Sequence, residues 1–346
     1  MRDVDAVVVG AGVMGTAAAW RLAGRGRQVV VLEQFDLGHD RGSSHGSVRV
    51  FRFSYDDPLY VGMAMEALPL WRELEEESGR TILTITGGFD SGPMEHLEAN
   101  AKALATRGAS LEMIDGAELM RAFPSISVPA DSPALHQPDA GVIFAELAVR
   151  TFAERAAEHG ADLHERSPVL GIRSSGDRVE VMTADQTFRA RTAIVTAGSW
   201  ARGLLEGVGI DLPVVPSRET VAFFALKDES PVPVLVEWTS PPTYALPSPG
   251  QGLKAGWHRS GPEAEPGPPG PVDGRVIDHL SGWVAEHYPS ADPQPHHVET
   301  CMYTNTADES FILERHGPIV VGSACSGHGF KFAPLIGERL AELASS

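Results

Sequence analysis

The chain has 346 residues, 42% hydrophobic and 21% charged, with a formal net charge of −18. That is the composition of a soluble globular protein of about two domains, and its acidity opposes binding to phosphate backbones and to anionic membrane surfaces. Two cysteines exclude a disulfide framework and a four-cysteine zinc site, no apolar run reaches the roughly 18 residues of a membrane span, and the first residues lead into a strand pattern without a signal-peptide layout, so the expectation is a cytoplasmic small-molecule enzyme or binder.

In chain order, residues 5–9 are a short apolar run ending in glycine, which reads as a buried strand. Helix formers fill 12–22, and 28–32 is a second apolar strand closed by Glu33. The turn between the first strand and the helix is Gly10-Ala11-Gly12-Val13-Met14-Gly15, a G-x-G-x-x-G pattern. Its first glycine permits the tight turn, its second lets a pyrophosphate approach the backbone, and its third lets helix pack on strand. The helix N-terminus offers unpaired N–H groups to phosphate. Glu33, at the end of the second strand, is placed to accept both ribose hydroxyls and to repel a 2′-phosphate.

Residues 35–48 read as loop, and Asp57-Pro58 as an N-cap and first helical residue. The helix it opens is expected to run to about residue 77, with Leu59, Met63, Leu68, Trp71 and Leu74 on its apolar side. A strand over 81–89, a helix from Pro93 to about 106 and another over 145–159 follow. The runs 169–172, 179–182, 193–196 and 214–226 are strand-like, and 260–272 is too rich in proline and glycine for a regular element. Helix returns over 276–286, and the end is a strand at 318–322, a glycine-rich turn, and a helix from about Phe330.

That late turn, Gly327-His328-Gly329-Phe330-Lys331, provides a second helix N-terminus, which suits the pyrimidine carbonyl of a flavin, where negative charge collects on reduction. Residues 194–198 are a third strand ending in small residues at Gly198. Singly each reads equally as turn chemistry; together they favour a long cofactor lying across a sheet. Arg49 and Arg52 are solvated arginines or fixed donors for a flavin and an anionic substrate, a planar guanidinium holding a carboxylate by two parallel bonds. Lys254 and His258 alternate onto one strand face, either solvent-facing or lining a cleft. Cys301 on its own reads as a small buried hydrophobe, Cys325 as packing, and the 13 histidines show no metal spacing.

The order Gly10-x-Gly12-x-x-Gly15, Gly42-Ser43-Ser44-His45-Gly46-Ser47-Val48-Arg49-Val50-Phe51-Arg52, Cys301-Met302-Tyr303-Thr304 and Ser326-Gly327-His328-Gly329-Phe330-Lys331-Phe332 resembles the monomeric sarcosine oxidase family, with its relatives N-methyltryptophan oxidase and pipecolate oxidase. The resemblance runs over nearly the whole chain. It implies FAD held covalently through Cys301, a substrate carboxylate held by Arg52 and Lys331, and a lysine near flavin N5, Lys254, implicated in oxygen activation. It implies that His258 and Tyr244 line the pocket, and that His45 and Arg49 lie close to the flavin. Met14, Ser43, Gly198, Gly327, Gly329 and Phe330 join Gly10, Gly12, Gly15, Glu33 and Lys331 as expected cofactor contacts. Relatives often carry His-Ala-Tyr after the second arginine; Phe53-Ser54-Tyr55 stands here, which predicts a more apolar pocket edge with Phe53 against the substrate.

The expected fold is α/β: a Rossmann-like FAD-binding domain (1–80, 140–215 and 300–346) interleaved with a substrate domain (81–139 and 216–299) built on a mixed or antiparallel sheet. The expected function is FAD-dependent oxidation of a secondary amino acid to an imine, with O2 reduced to hydrogen peroxide, by a monomer without metal, nucleic-acid or membrane partners. The alternatives are oxidation of a cyclic amino or imino acid, an NAD-linked dehydrogenase, and a non-catalytic flavoprotein.

Overall fold

A computed structural model describes residues 1–346, the side chain of Ser175 excepted. Its first sheet is built on four neighbouring parallel strands, Asp162–His164, Val29–Leu32, Arg2–Val9 and Thr187–Val195. Thr187–Val195 is shared along its other edge. Its first half pairs antiparallel with Arg178–Met182, and its last three residues pair parallel with Ile319–Ser323.

A sheet buried on both faces needs apolar side chains pointing both ways, and the run Val7-Val8-Val9 supplies them. Ala6 and Val8 pack into a helical layer, while Val7 and Val9 pack into a second core with Phe188, Leu205 and Val214. The helical layer is Val13–Gly24, Pro58–Ser78, Ala145–Glu158 and Ala333–Ser345. Asp57 caps the second of these, its side chain accepting from the Leu59 amide at 2.8 Å. Leu59 itself is 53% exposed, so the apolar side of that helix begins at Val61 rather than at Leu59.

The second sheet has eight strands in the order His297–Asn305, Val215–Phe224, Gly252–Trp257, Thr243–Ser248, Val234–Glu237, Gly88–Ser91, Pro133–Gln137 and Glu112–Asp115. Only the central pairing of Val234–Glu237 with Gly88–Ser91 is parallel. The single strand expected over 81–89 is two strands in different sheets. Leu83–Ile85 joins a small sheet with Val48–Phe51 and Gly141–Phe144, and Gly88–Ser91 joins the large one. The break falls at Thr86 and Gly87, whose amides both donate to the Ala140 carbonyl at 3.0 Å.

One face of the large sheet packs on the helix Gly274–His287 through Ala222, Phe224, Leu235, Ala245, Leu253 and Ala255. Because side chains alternate along a strand, the partners of those residues face the other way, toward the first sheet. Among the described residues, no helix is long and apolar enough to cross a membrane.

Candidate active site

A cavity of about 1250 Å³ lies between the two sheets, larger than the 300–1,000 Å³ common for small-ligand sites. Its floor begins at the first glycine turn. Gly10 has φ +99, a conformation that side chains disfavour, and a Cβ there would lie 2.8 Å from the Thr196 carbonyl oxygen. A Cβ on Gly15 would lie 1.9 Å from the Gly10 carbonyl oxygen, so the third glycine works by packing and does not itself line the cavity. Gly12 and Met14 line it. Glu33 is only 5% exposed; its carboxylate accepts from the amides of Ala11 and Phe35, each at 2.9 Å. The His39 Nε2 stands 3.4 Å from one of its oxygens, and the carboxylate borders the cavity. This floor has the shape, amides and carboxylate that an adenosine diphosphate half needs.

The loop 42–48 forms one wall and Arg49 ties it together. Its guanidinium donates to the carbonyls of Val48 (2.9 Å), Ser43 (2.9 Å) and His45 (2.6 Å). His45 is buried, and burial together with the Arg49 charge pushes its imidazole down to about 4, so it is neutral at pH 7. Its Nε2 is buried with no partner in the chain, the position of a group that meets a ligand.

The ceiling is the free face of the large sheet, and register assembles it. Cys301 and Tyr303 are two apart on one strand, opposite Glu219 and Ser217. Val221 pairs with Gly256, which pairs with Tyr244; Leu246 pairs with Lys254. Val221, Tyr244, Leu246, Lys254, Cys301 and Tyr303 therefore share one face, and all line the cavity. Lys254 is 4% exposed and donates to the Val48 carbonyl at 3.3 Å. Burial, then the Arg49 charge, pushes its ammonium down to about 7, against the upward pull of Glu299. Burial pushes the Cys301 thiol up, although Arg49 and Lys254 counteract this.

The far end is closed by the late glycine turn. Gly327 has φ +77, and a Cβ there would lie 2.2 Å from the Tyr303 ring and 2.6 Å from His258, so any side chain would fill the space these rings enclose. Phe330 to Phe332 form a single 3-10 turn before the last helix. Arg52 and Lys331 both border the cavity here, with the Arg52 guanidinium 4.6 Å above the Tyr55 ring and 5.3 Å from that of Trp238. His258 sits beside Tyr303, its Nε2 3.7 Å from the Glu309 carboxylate.

The structure thus brings to one cavity Gly10, Gly12, Met14, Glu33, Ser43, His45, Arg49, Arg52, Gly198, Tyr244, Lys254, His258, Cys301, Gly327, Gly329, Phe330 and Lys331. Phe53 is not among them. It is 4% exposed, packs edge-on against Phe51 at 5.5 Å, and its amide donates to Gln137 at 2.9 Å. Chain direction alternates here: Val50 and Arg52 border the cavity while Phe51 and Phe53 turn into the core. The apolar pocket edge comes from Tyr60, Trp238 and Tyr303 instead, which the sequence reading missed. For Tyr303 a signal existed in its two-residue spacing from Cys301. Cys325, read as packing, also borders the cavity, its Sγ 3.7 Å from the Ser43 hydroxyl. Among the described residues, no group of three His, Cys, Asp or Glu is placed to hold a metal ion.

Comparison with known proteins adds four findings. A family model described as FAD dependent oxidoreductase matches residues 5–343. The chain is 34% identical to monomeric sarcosine oxidase of Bacillus sp. (strain B-0618), covering 98% of this chain and 92% of that protein. It is 33% identical to peroxisomal sarcosine oxidase of Homo sapiens, covering 98% and 91%. Among solved structures, the open form of NikD, described as an unusual amino acid oxidase essential for nikkomycin biosynthesis, superposes with a TM-score of 0.90 at 28% identity over 99% of this chain and 94% of that one.

Proposed function

The chain belongs to the FAD dependent oxidoreductase family, and on that premise we propose that it is a flavin-dependent amine oxidase whose substrate is a secondary, sarcosine-like amino acid. The observation that carries this reading is the pair of cations, Arg52 and Lys331, bordering the cavity together beside Tyr55 and Trp238, in a protein whose net charge is −18. Two cations placed together against that acidity fit a small carboxylate. FAD, when bound, supplies the two-electron acceptor.

The residues of this chain do the rest. Gly10, Gly12 and Glu33 hold the adenosine half, with Gly15 packing the helix close behind them, and His45, Arg49, Gly198, Ser43, Gly329 and Phe330 border the flavin half. Arg52 and Lys331 fix the carboxylate and so the position of the carbon beside nitrogen. Tyr244, Tyr303 and Trp238 keep the amine in a low-dielectric place, which favours its neutral, reactive form. The substrate loses two electrons and two protons from its C–H and N–H bonds and becomes an imine, which His258 borders. O2 takes up the same two electrons and two protons and leaves as hydrogen peroxide, with the Lys254 charge stabilising the negative charge that develops on oxygen. Cys301 on the ceiling is the attachment point for a covalent flavin. The same reading divides the chain into a cofactor domain (1–80, 140–215, 300–346) and a substrate domain (81–139, 216–299), in a cytoplasmic monomer, with the boundary at 300 corrected to the end of His297–Asn305, because that strand pairs along its length with Val215–Phe224.

The test has two parts. Sarcosine, an N-methyl aromatic amino acid and pipecolate are each offered to the purified yellow protein, anaerobically and in air. Bleaching and peroxide are expected with sarcosine; bleaching by none of the three overturns the reading. Acid precipitation then reads the link: colour in the pellet is expected, and colour lost to the supernatant removes the role of Cys301.

A further inference from the structure

We infer that Tyr55 and His328 are positioning residues that orient Lys331, leaving one N–H of its ammonium for the substrate carboxylate. The inference rests on the carboxylate reading above and adds what makes Lys331 directional.

Lys331 Nζ lies 2.7 Å from the Tyr55 hydroxyl and 2.8 Å from the His328 carbonyl, and the residue is 4% exposed. Burial, then the Arg52 charge, pushes the Lys331 ammonium well below its ordinary range, and a carboxylate in the cavity restores the charged form; that ammonium has three donors, of which two are spent on neutral oxygens of the chain. The third is the one left for the cavity that Lys331 borders.

The proton order is set at the far end. His328 Nε2 stands 3.0 Å from the Glu309 carbonyl, a group that only accepts, so Nε2 carries the hydrogen. Nδ1 is then an acceptor, and the Tyr55 hydroxyl, 3.2 Å away, donates to it. With its own hydrogen committed, the Tyr55 oxygen accepts from Lys331. Donation therefore runs one way, from Lys331 through Tyr55 and His328 to the Glu309 carbonyl. Burial and the Lys331 charge push the His328 imidazole down to about 3, which keeps it in the neutral form this order requires.

Packing holds the relay still. Phe311 stacks on the His328 ring at 4.7 Å, and Tyr60 meets it edge-on at 5.2 Å. The Lys331 carbonyl accepts from the Trp71 indole at 2.8 Å. Glu309 is held at φ +63, a left-handed conformation costly for a residue with a side chain, and its carboxylate is pinned by Arg259 at 2.5 Å. An unaimed lysine needs none of this.

The experiment titrates the flavin-loaded protein with acetate, and with acetamide as its uncharged analogue, by calorimetry. In Tyr55→Phe the affinity for acetate is expected to fall at least tenfold, with acetamide binding, flavin content and melting temperature unchanged. His328→Leu should reproduce that loss, and His328→Asn, which keeps an acceptor near Nδ1, should recover most of it. Wild-type acetate affinity in Tyr55→Phe, or an equal loss of acetate and acetamide, overturns the inference. Lys331→Met separates the two levels. If it loses acetate while Tyr55→Phe does not, only the positioning role falls; if it binds acetate as the wild type does, the carboxylate reading falls too.

Discussion

The floor and the ceiling of the cavity are made in opposite ways. The floor comes from one contiguous stretch, residues 2–33, in which a strand, a glycine turn, a helix and a second strand bring Gly10, Gly12, Gly15 and Glu33 together by local geometry alone. The ceiling gathers Val221, Tyr244, Lys254, Cys301 and Tyr303 from four strands across some 80 residues, and only sheet register puts them on one face. The floor therefore depends on single backbone positions where nothing larger fits. The ceiling depends on pairing and tolerates exchange of individual side chains without collapse, so its substitutions, Cys301 excepted, should change chemistry rather than cofactor retention.

Gly15→Val probes the floor and carries the largest expected effect. The added carbon lands within van der Waals contact of the Gly10 carbonyl, so the turn must open, and the purified protein should carry essentially no flavin by its visible-to-ultraviolet absorbance ratio. A stoichiometric flavin content in that variant would break the contrast between the two surfaces.

Lys254→Met probes the ceiling. If the Lys254 charge serves the proposed oxygen reduction, removing it should slow aerobic reoxidation by about 10²-fold, while anaerobic bleaching by substrate stays within threefold; stopped-flow absorbance separates the two. The sign of the pH effect follows from the ammonium being pushed down to about 7. The cation is present below that value and lost above it, so reoxidation should fall as pH rises through that region. Lys254→Arg should flatten the profile, because a guanidinium stays charged. A pH-independent wild type would remove the role assigned to this charge.

Phe53→Leu carries the smallest effect on catalysis. Since Phe53 lies in the core and not at the cavity, it should cost about 1 kcal/mol of stability and leave KM for the amine within twofold. A KM shift of tenfold, with melting unchanged, would return Phe53 to the pocket edge.

The same contrast explains what was legible in the sequence. The floor could be read because strand, turn and acidic residue stand in one window with a known spacing. Half the large sheet could not. Val234–Glu237, Thr243–Ser248, Pro133–Gln137 and Glu112–Asp115 are short, and two of them contain proline. Pro247 is tolerated because Val234–Glu237 pairs only as far as Ala245, so no partner waits for the missing N–H. Tyr244, Lys254 and Cys301 are singled out through the family resemblance, whereas their juxtaposition follows from pairing that no local pattern encodes. Phe53 is the converse case: its expected place at the pocket edge rests on its position after Arg52 in the family pattern, whereas the alternation that turns Val50 and Arg52 to the cavity sends Phe51 and Phe53 inward together.

The sharing of Thr187–Val195 has a consequence for biogenesis. Its last residues wait for Ile319–Ser323, and the helix Ala333–Ser345 settles on Val13–Gly24 so closely that a Cβ on Gly337 would lie 2.6 Å from the Ala17 backbone. Segments more than 300 residues apart in the chain are thus neighbours. At about 5–20 residues per second, a nascent chain spends tens of seconds with its nucleotide turn made but uncovered. The apolar face of Val13–Gly24 is therefore left uncovered until Ala333–Ser345 has emerged, and it is the stretch most exposed to aggregation in that interval.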